Sequence, residues 1–104
     1  MALDVLNLMP GKKIIVTPGM IELGSIEYEE NKKFGSHIAE VCDEVILIGK
    51  DQTKAIYDGL KSKNYDEKHI HILDDVIEAF PLVQKLKEKE TYVLLENDLP
   101  DLFN

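Results

Sequence analysis

Four short apolar runs alternate with segments of helical period along this chain, and that alternation restricts it to one fold class. The runs are 13–17, Glu44–Ile48, 69–73 and Thr91–Leu95. In the first, Ile14-Ile15-Val16 places three β-branched residues in succession, which suits a strand covered on both faces. Strands that alternate with helices form a parallel sheet with helices on both sides, and right-handed crossovers restrict the order of its strands. The expectation is an α/β, three-layer, Rossmann-like domain with a mainly parallel sheet of about four strands in the order three-two-one-four.

The connecting segments read as helices. In 28–42, Phe34, Ile38, Val41 and Cys42 fall on one face, while Glu29, Glu30, Lys32, Lys33 and Glu40 lie largely off it. Gly35 weakens that helix locally and points to a close approach to the sheet. Gly49-Lys50-Asp51 turns the chain, and Asp51 is the expected cap of a helix to about Lys61, with Ile56 and Leu60 inward. Asp74 or Asp75 caps a further helix that uses Val76, Ile77, Phe80, Val83 and Leu86. Pro81 sits inside it, and an interior proline costs roughly 3 kcal/mol, so either a kink near Ile77 or a helix that begins near Phe80 is expected. Residues 2–9 read as the end of a helix, with Leu3, Leu6 and Met9 at helical spacing before Pro10-Gly11. A helix with no cap before it looks cut, and the natural chain is expected to extend upstream.

The 104 residues suit one domain. Twelve basic against twenty acidic residues give a formal charge of −8, which disfavours nucleic acid and anionic membrane as partners. The first residues have no basic start or long apolar run, and no stretch approaches the ~20 apolar residues that span a bilayer. Cys42 stands alone, so no internal disulfide forms, and its place on an apolar stripe marks a small core residue.

Pro18-Gly19 stops the first strand: proline removes a ladder donor, and glycine reaches backbone angles other residues avoid. In an open α/β sheet, ligands bind beyond the carboxyl ends of strands where the order reverses. With order three-two-one-four, strands one and four are neighbours, and 17–22 would share a rim with 96–98. The candidate substrate-binding residues are Thr17, Gly19, Met20, Glu22, Asn31, Glu96, Asn97 and Asp98. Carboxylates there could hold an ammonium group or magnesium; solvated loop acids and a tight strand-to-helix connection would look the same. No catalytic residue and no metal site is assigned. His69-x-His71 puts two imidazoles on one face of a strand, but no third ligand is close in sequence. Gly-x-x-x-x-Gly-Lys-Ser/Thr, Gly-x-Gly-x-x-Gly and Gly-x-Ser-x-Gly are all missing.

The run Pro18-Gly19-Met20-Ile21-Glu22-Leu23-Gly24, the helix with Asn31 and Gly35, and the strand Glu44–Ile48 with Gly49 resemble the C-terminal domain of the Mur ligases. They most nearly resemble the branch that joins UDP-N-acetylmuramoyl-tripeptide to D-alanyl-D-alanine. The family's loop commonly reads Gly-Asp-Met-x-Glu-Leu-Gly. Met20, Glu22, Leu23 and Gly24 match it, while Pro18 and Gly19 replace its glycine and aspartate. Asn31 stands where a histidine is common, and the last strand runs into Glu96-Asn97-Asp98 in place of a Lys-Gly-Ser type sequence.

The resemblance implies the third domain of a cytoplasmic, ATP-dependent ligase of peptidoglycan synthesis. In that family a central domain holds ATP and Mg2+ and activates the carboxylate of a UDP-linked muramoyl peptide as an acyl phosphate. The C-terminal domain holds the incoming amino acid or D-alanyl-D-alanine and closes the site. The missing phosphate loop then belongs to the central domain, which with the N-terminal domain is missing from this chain; no cofactor is expected on this chain, and the isolated chain is expected to be inactive. The alternative from another class is a stand-alone α/β binding or interaction module. A receiver-like version of it lacks an acid pair before the first strand.

Overall fold

The computed structural model describes residues 2–21 and 23–96. Four strands form one parallel sheet: β1 (Lys12–Thr17), β2 (Glu44–Ile48), β3 (Ile70–Leu73) and β4 (Thr91–Leu95), in the order β3-β2-β1-β4. This is the order expected from the alternation and the handedness of the crossovers. Among the described residues, α1 (Ala2–Asn7) precedes β1, and three helices join the strands: α2 (Glu27–Val41), α3 (Lys54–Ser62) and α4 (Ala79–Leu86). Among the described residues, no helix is long and apolar enough to cross a membrane.

The two faces of the sheet carry separate cores. Ile15, Val45 and Leu47 pack with Leu3 and Leu6 of α1, Ile38 and Val41 of α2, and Ile56 and Leu60 of α3. Ile14, Val16, Ile46 and Ile48 face the other way, against Val76, Ala79, Leu82, Val83 and Leu86. All five residues of β2 are buried, as a central parallel strand requires. Among the described residues a single α-helix covers the second face, and Val93 and Leu95 of the edge strand β4 are exposed.

Several local expectations are corrected. Gly35 meets α3 rather than the sheet: a Cβ there would run into the Ile56 carbonyl, and one at Gly59 would run into the Lys32 carbonyl. Asp51 does not cap α3. Thr53 occupies the N-cap position, and its hydroxyl donates to the Gly49 carbonyl at 2.7 Å without accepting from the helix. Ile77 and Phe80 are exposed rather than inward. His69 belongs to a short 3-10 turn, Glu67–His69, so β3 begins one residue later than expected.

Asp75 caps a 3-10 turn, Val76–Glu78, with a reciprocal capping box. The α-helix then starts at Ala79, which puts Pro81 in its first turn, where a missing N–H leaves no intrahelical bond unmade. Of the two outcomes expected for Pro81, the later helix start is the one found.

Candidate functional site

The parallel pairing of β1 with β4 brings the two rim segments together. Val16 sits opposite Leu95, and the Glu96 amide donates to the Val16 carbonyl at 3.0 Å. Thr17 and Glu96 thus share the carboxyl edge of the sheet. Glu22, Asn97 and Asp98 lie outside the described residues.

The turn after β1 is tied in from three directions. Gly19 adopts φ +85°, a left-handed conformation that glycine takes without penalty, and its N–H donates to the buried Thr17 Oγ1 at 3.0 Å. From α2, the Asn31 side chain brackets Met20: Oδ1 accepts from the Met20 N–H at 2.8 Å, while Nδ2 donates to the Met20 carbonyl at 2.8 Å and to the Glu27 carbonyl at 2.9 Å. From the β2–α3 loop, Gln52 Nε2 donates to the Pro18 carbonyl at 3.0 Å and the Ile48 carbonyl at 3.1 Å. Asn31 is 1% exposed, so its amide shapes the loop from beneath. Met20 is half-buried and Ile21 is exposed at the lip.

This bonding decides what the turn can hold. A phosphate cradle needs free backbone N–H groups aimed outward. The Gly19 and Met20 amides are already committed to Thr17 and Asn31, so the turn does not fit a nucleotide phosphate. Beside the end of β1, where this turn begins, stands Glu96, an acid. Among the described residues, no group of three or more histidine, cysteine or acidic side chains is placed to hold a metal ion.

A cavity of about 840 Å3 opens at the opposite end of the sheet, by the amino ends of the strands, and its lining includes Gly11, Lys12, Asp43, Glu44, Tyr65 and His69. Several of its polar groups are bonded to one another. The carboxylate of Glu44, 7% exposed, receives His69 Nδ1 and His71 Nε2 on separate oxygens, each at 2.9 Å. Lys12 Nζ lies 3.8 Å from the same carboxylate, donates to the Leu86 carbonyl at 2.8 Å and pairs with Glu88 at 3.5 Å. The cluster therefore ties β1, β2, β3 and the end of α4 together, and the cavity is distant from the rim.

Both histidines and the acid are visible in the sequence, but their meeting is not. It follows from the register Val45↔Ile70 and Ile46↔His71, which sets Glu44 beside the histidine pair. Gln52 carried no sequence signal, because its partners are backbone carbonyls on two other segments.

No family model matches the chain. Its fold is similar to part of the crystal structure of MurF ligase from Thermotoga maritima in complex with ADP, with a TM-score of 0.70 and 24% sequence identity. The likeness covers 90% of this chain and 20% of that one. The chain thus spans about a fifth of the length of that protein, and the likeness is one of fold.

Proposed function

We propose that this chain is the C-terminal domain of a ligase of the Mur family, acting in peptidoglycan precursor synthesis as part of a longer ATP-dependent protein. In this reading it receives the amine of an incoming amino acid or of D-alanyl-D-alanine and closes over a central ATP-binding domain. The observation that carries the reading is the pairing of β1 with β4, which sets Glu96 beside the end of β1, where the Met20 turn begins, in a fold similar to a segment of MurF ligase. The match of Met20, Glu22, Leu23 and Gly24 to the family loop supports the same reading.

The chemistry is consistent with it. A condensation between an amine and an activated carboxyl group gains most from holding the two in register and keeping water out. A tied-in turn on a rim that carries an acid such as Glu96 can hold an ammonium group; it cannot activate a carboxylate. The committed amides of Gly19 and Met20 do not fit ATP and Mg2+, which this reading assigns to the central domain together with the UDP-linked muramoyl peptide. Such nucleotide-linked substrates imply a cytoplasmic protein.

The test is an NMR titration of the chain with D-alanyl-D-alanine and with single amino acids at millimolar concentrations. Shifts are expected in the amides of Thr17, Gly19, Met20, Ile21 and Glu96. An unchanged carboxyl rim, or shifts confined to the cavity around Glu44, would defeat the proposal. A reading frame upstream that encodes a phosphate loop separates the ligase from a stand-alone module.

A further inference from the structure

We infer that Gln52 is a positioning residue for the rim: it presets the Pro18-Gly19-Met20 turn in the shape that receives the amine, an inference that rests on the reading above. Gln52 is exposed, and an exposed glutamine ordinarily leaves its amide to water. Here both N–H groups are spent on protein carbonyls, those of Pro18 and Ile48. These follow and end the neighbouring strands β1 and β2, so one side chain bridges two successive strand-to-helix connections.

A glycine stands at each end of this bridge, and one of them is fitted to its side chain. Gly49 adopts φ +89°, and a Cβ there would lie 2.8 Å from Gln52 Cδ, so only glycine lets the side chain fold back across the loop. Gly19 adopts φ +85°, and a Cβ there would lie 3.3 Å from both the Gln52 backbone carbonyl oxygen and Asn31 Oδ1. The turn is clasped from both sides. Gln52 takes the carbonyl before Gly19, and Asn31 takes the N–H and the carbonyl of Met20 after it.

The two clasps differ in what else they do. Asn31 is buried and joins the turn to α2. Gln52 lies at the surface, and its bonds tie the rim turn to the end of β2. Immobilising an exposed side chain costs rotamer entropy. A turn held in its binding shape before the ligand arrives lowers the ordering cost of association.

The experiment compares the chain with Q52A, Q52M, which keeps the size and loses both donors, and Q52E, which keeps the length and turns a carboxylate toward two carbonyls. Melting temperatures are expected within about 3 °C of the parent. Binding of D-alanyl-D-alanine, followed by NMR, is expected to weaken by about 3- to 10-fold in Q52A and Q52M, and at least as much in Q52E. Amide exchange should quicken at Gly19 and Met20 and nowhere else. Unchanged affinity in Q52M overturns the positioning role. Affinity that falls only in step with a lowered melting temperature overturns it in favour of a plain structural contact. A parent chain that binds neither the dipeptide nor an amino acid overturns the reading beneath it, and the role with it.

Discussion

Gly35 of α2 and Gly59 of α3 lie back to back where the two helices cross: a Cβ on Gly59 would fall 3.1 Å from the Gly35 Cα. Each position also faces a carbonyl of the other helix, Ile56 for Gly35 and Lys32 for Gly59. In an isolated helix, alanine is favoured over glycine by about 1 kcal/mol. Here the added methyl would push two backbones apart. Gly35→Ala and Gly59→Ala are therefore each expected to destabilise the fold by about 1–3 kcal/mol, measured by urea unfolding. A stabilised variant would show that the helices are not in backbone contact.

Asn31 makes three hydrogen bonds from a fully buried side chain. Removing it leaves the Met20 N–H and carbonyl without their partner beneath the loop. Asn31→Ala is expected to cost about 3 kcal/mol. Asn31→Asp keeps an acceptor for Met20 but loses both donors, so it is also expected to destabilise. Chemical denaturation gives the cost, and NMR shifts at Met20 report whether the turn has moved.

Stability is expected to fall as pH rises above about 9. Burial pushes the Cys42 thiol up to about 12 from its ordinary 9.0, and burial also raises the Tyr65 hydroxyl, which donates to the Cys42 carbonyl at 2.8 Å. The sign follows from proton counts: between pH 9 and 12 the unfolded chain has released the thiol proton while the folded chain retains it, so raising the pH favours unfolding. Melting curves from pH 7 to 11 should show the decline, and Cys42→Ala should flatten its first part. A thiol reagent at pH 8 is expected to modify Cys42 only after denaturation. Prompt reaction of the native chain would contradict the burial.

Asp75 begins the turn that leads into α4. Its carboxylate accepts from the Ile77 N–H at 3.1 Å, and Glu78 Oε1 accepts from the Asp75 N–H at 3.4 Å. Asp75→Ala is expected to cost about 1 kcal/mol, with Asp75→Asn and Asp75→Ser milder, all readable by thermal melting. An unaffected Asp75→Ala variant would mean that Pro81 and the packing of Ala79 hold this helix start by themselves.

The order of the strands and the meeting of the Thr17 and Glu96 segments were legible in the sequence because they follow from local patterning. Runs such as Ile14-Ile15-Val16 and Val45-Ile46-Leu47 must be buried on both faces, helical periods between them force parallel crossovers, and the handedness of those crossovers leaves few orders. The Glu44 carboxylate with its two imidazoles, the Gln52 bridge and the crossing of Gly35 with Gly59 came only with the tertiary structure. Each depends on which segment lies beside which and at what register. Glu44 meets His69 and His71 only because Val45 aligns with Ile70. Gln52 meets Pro18 only because β1 and β2 end side by side. A glycine in a helix says that something comes close, whereas the packing of whole helices decides that the neighbour is Ile56 and not the sheet.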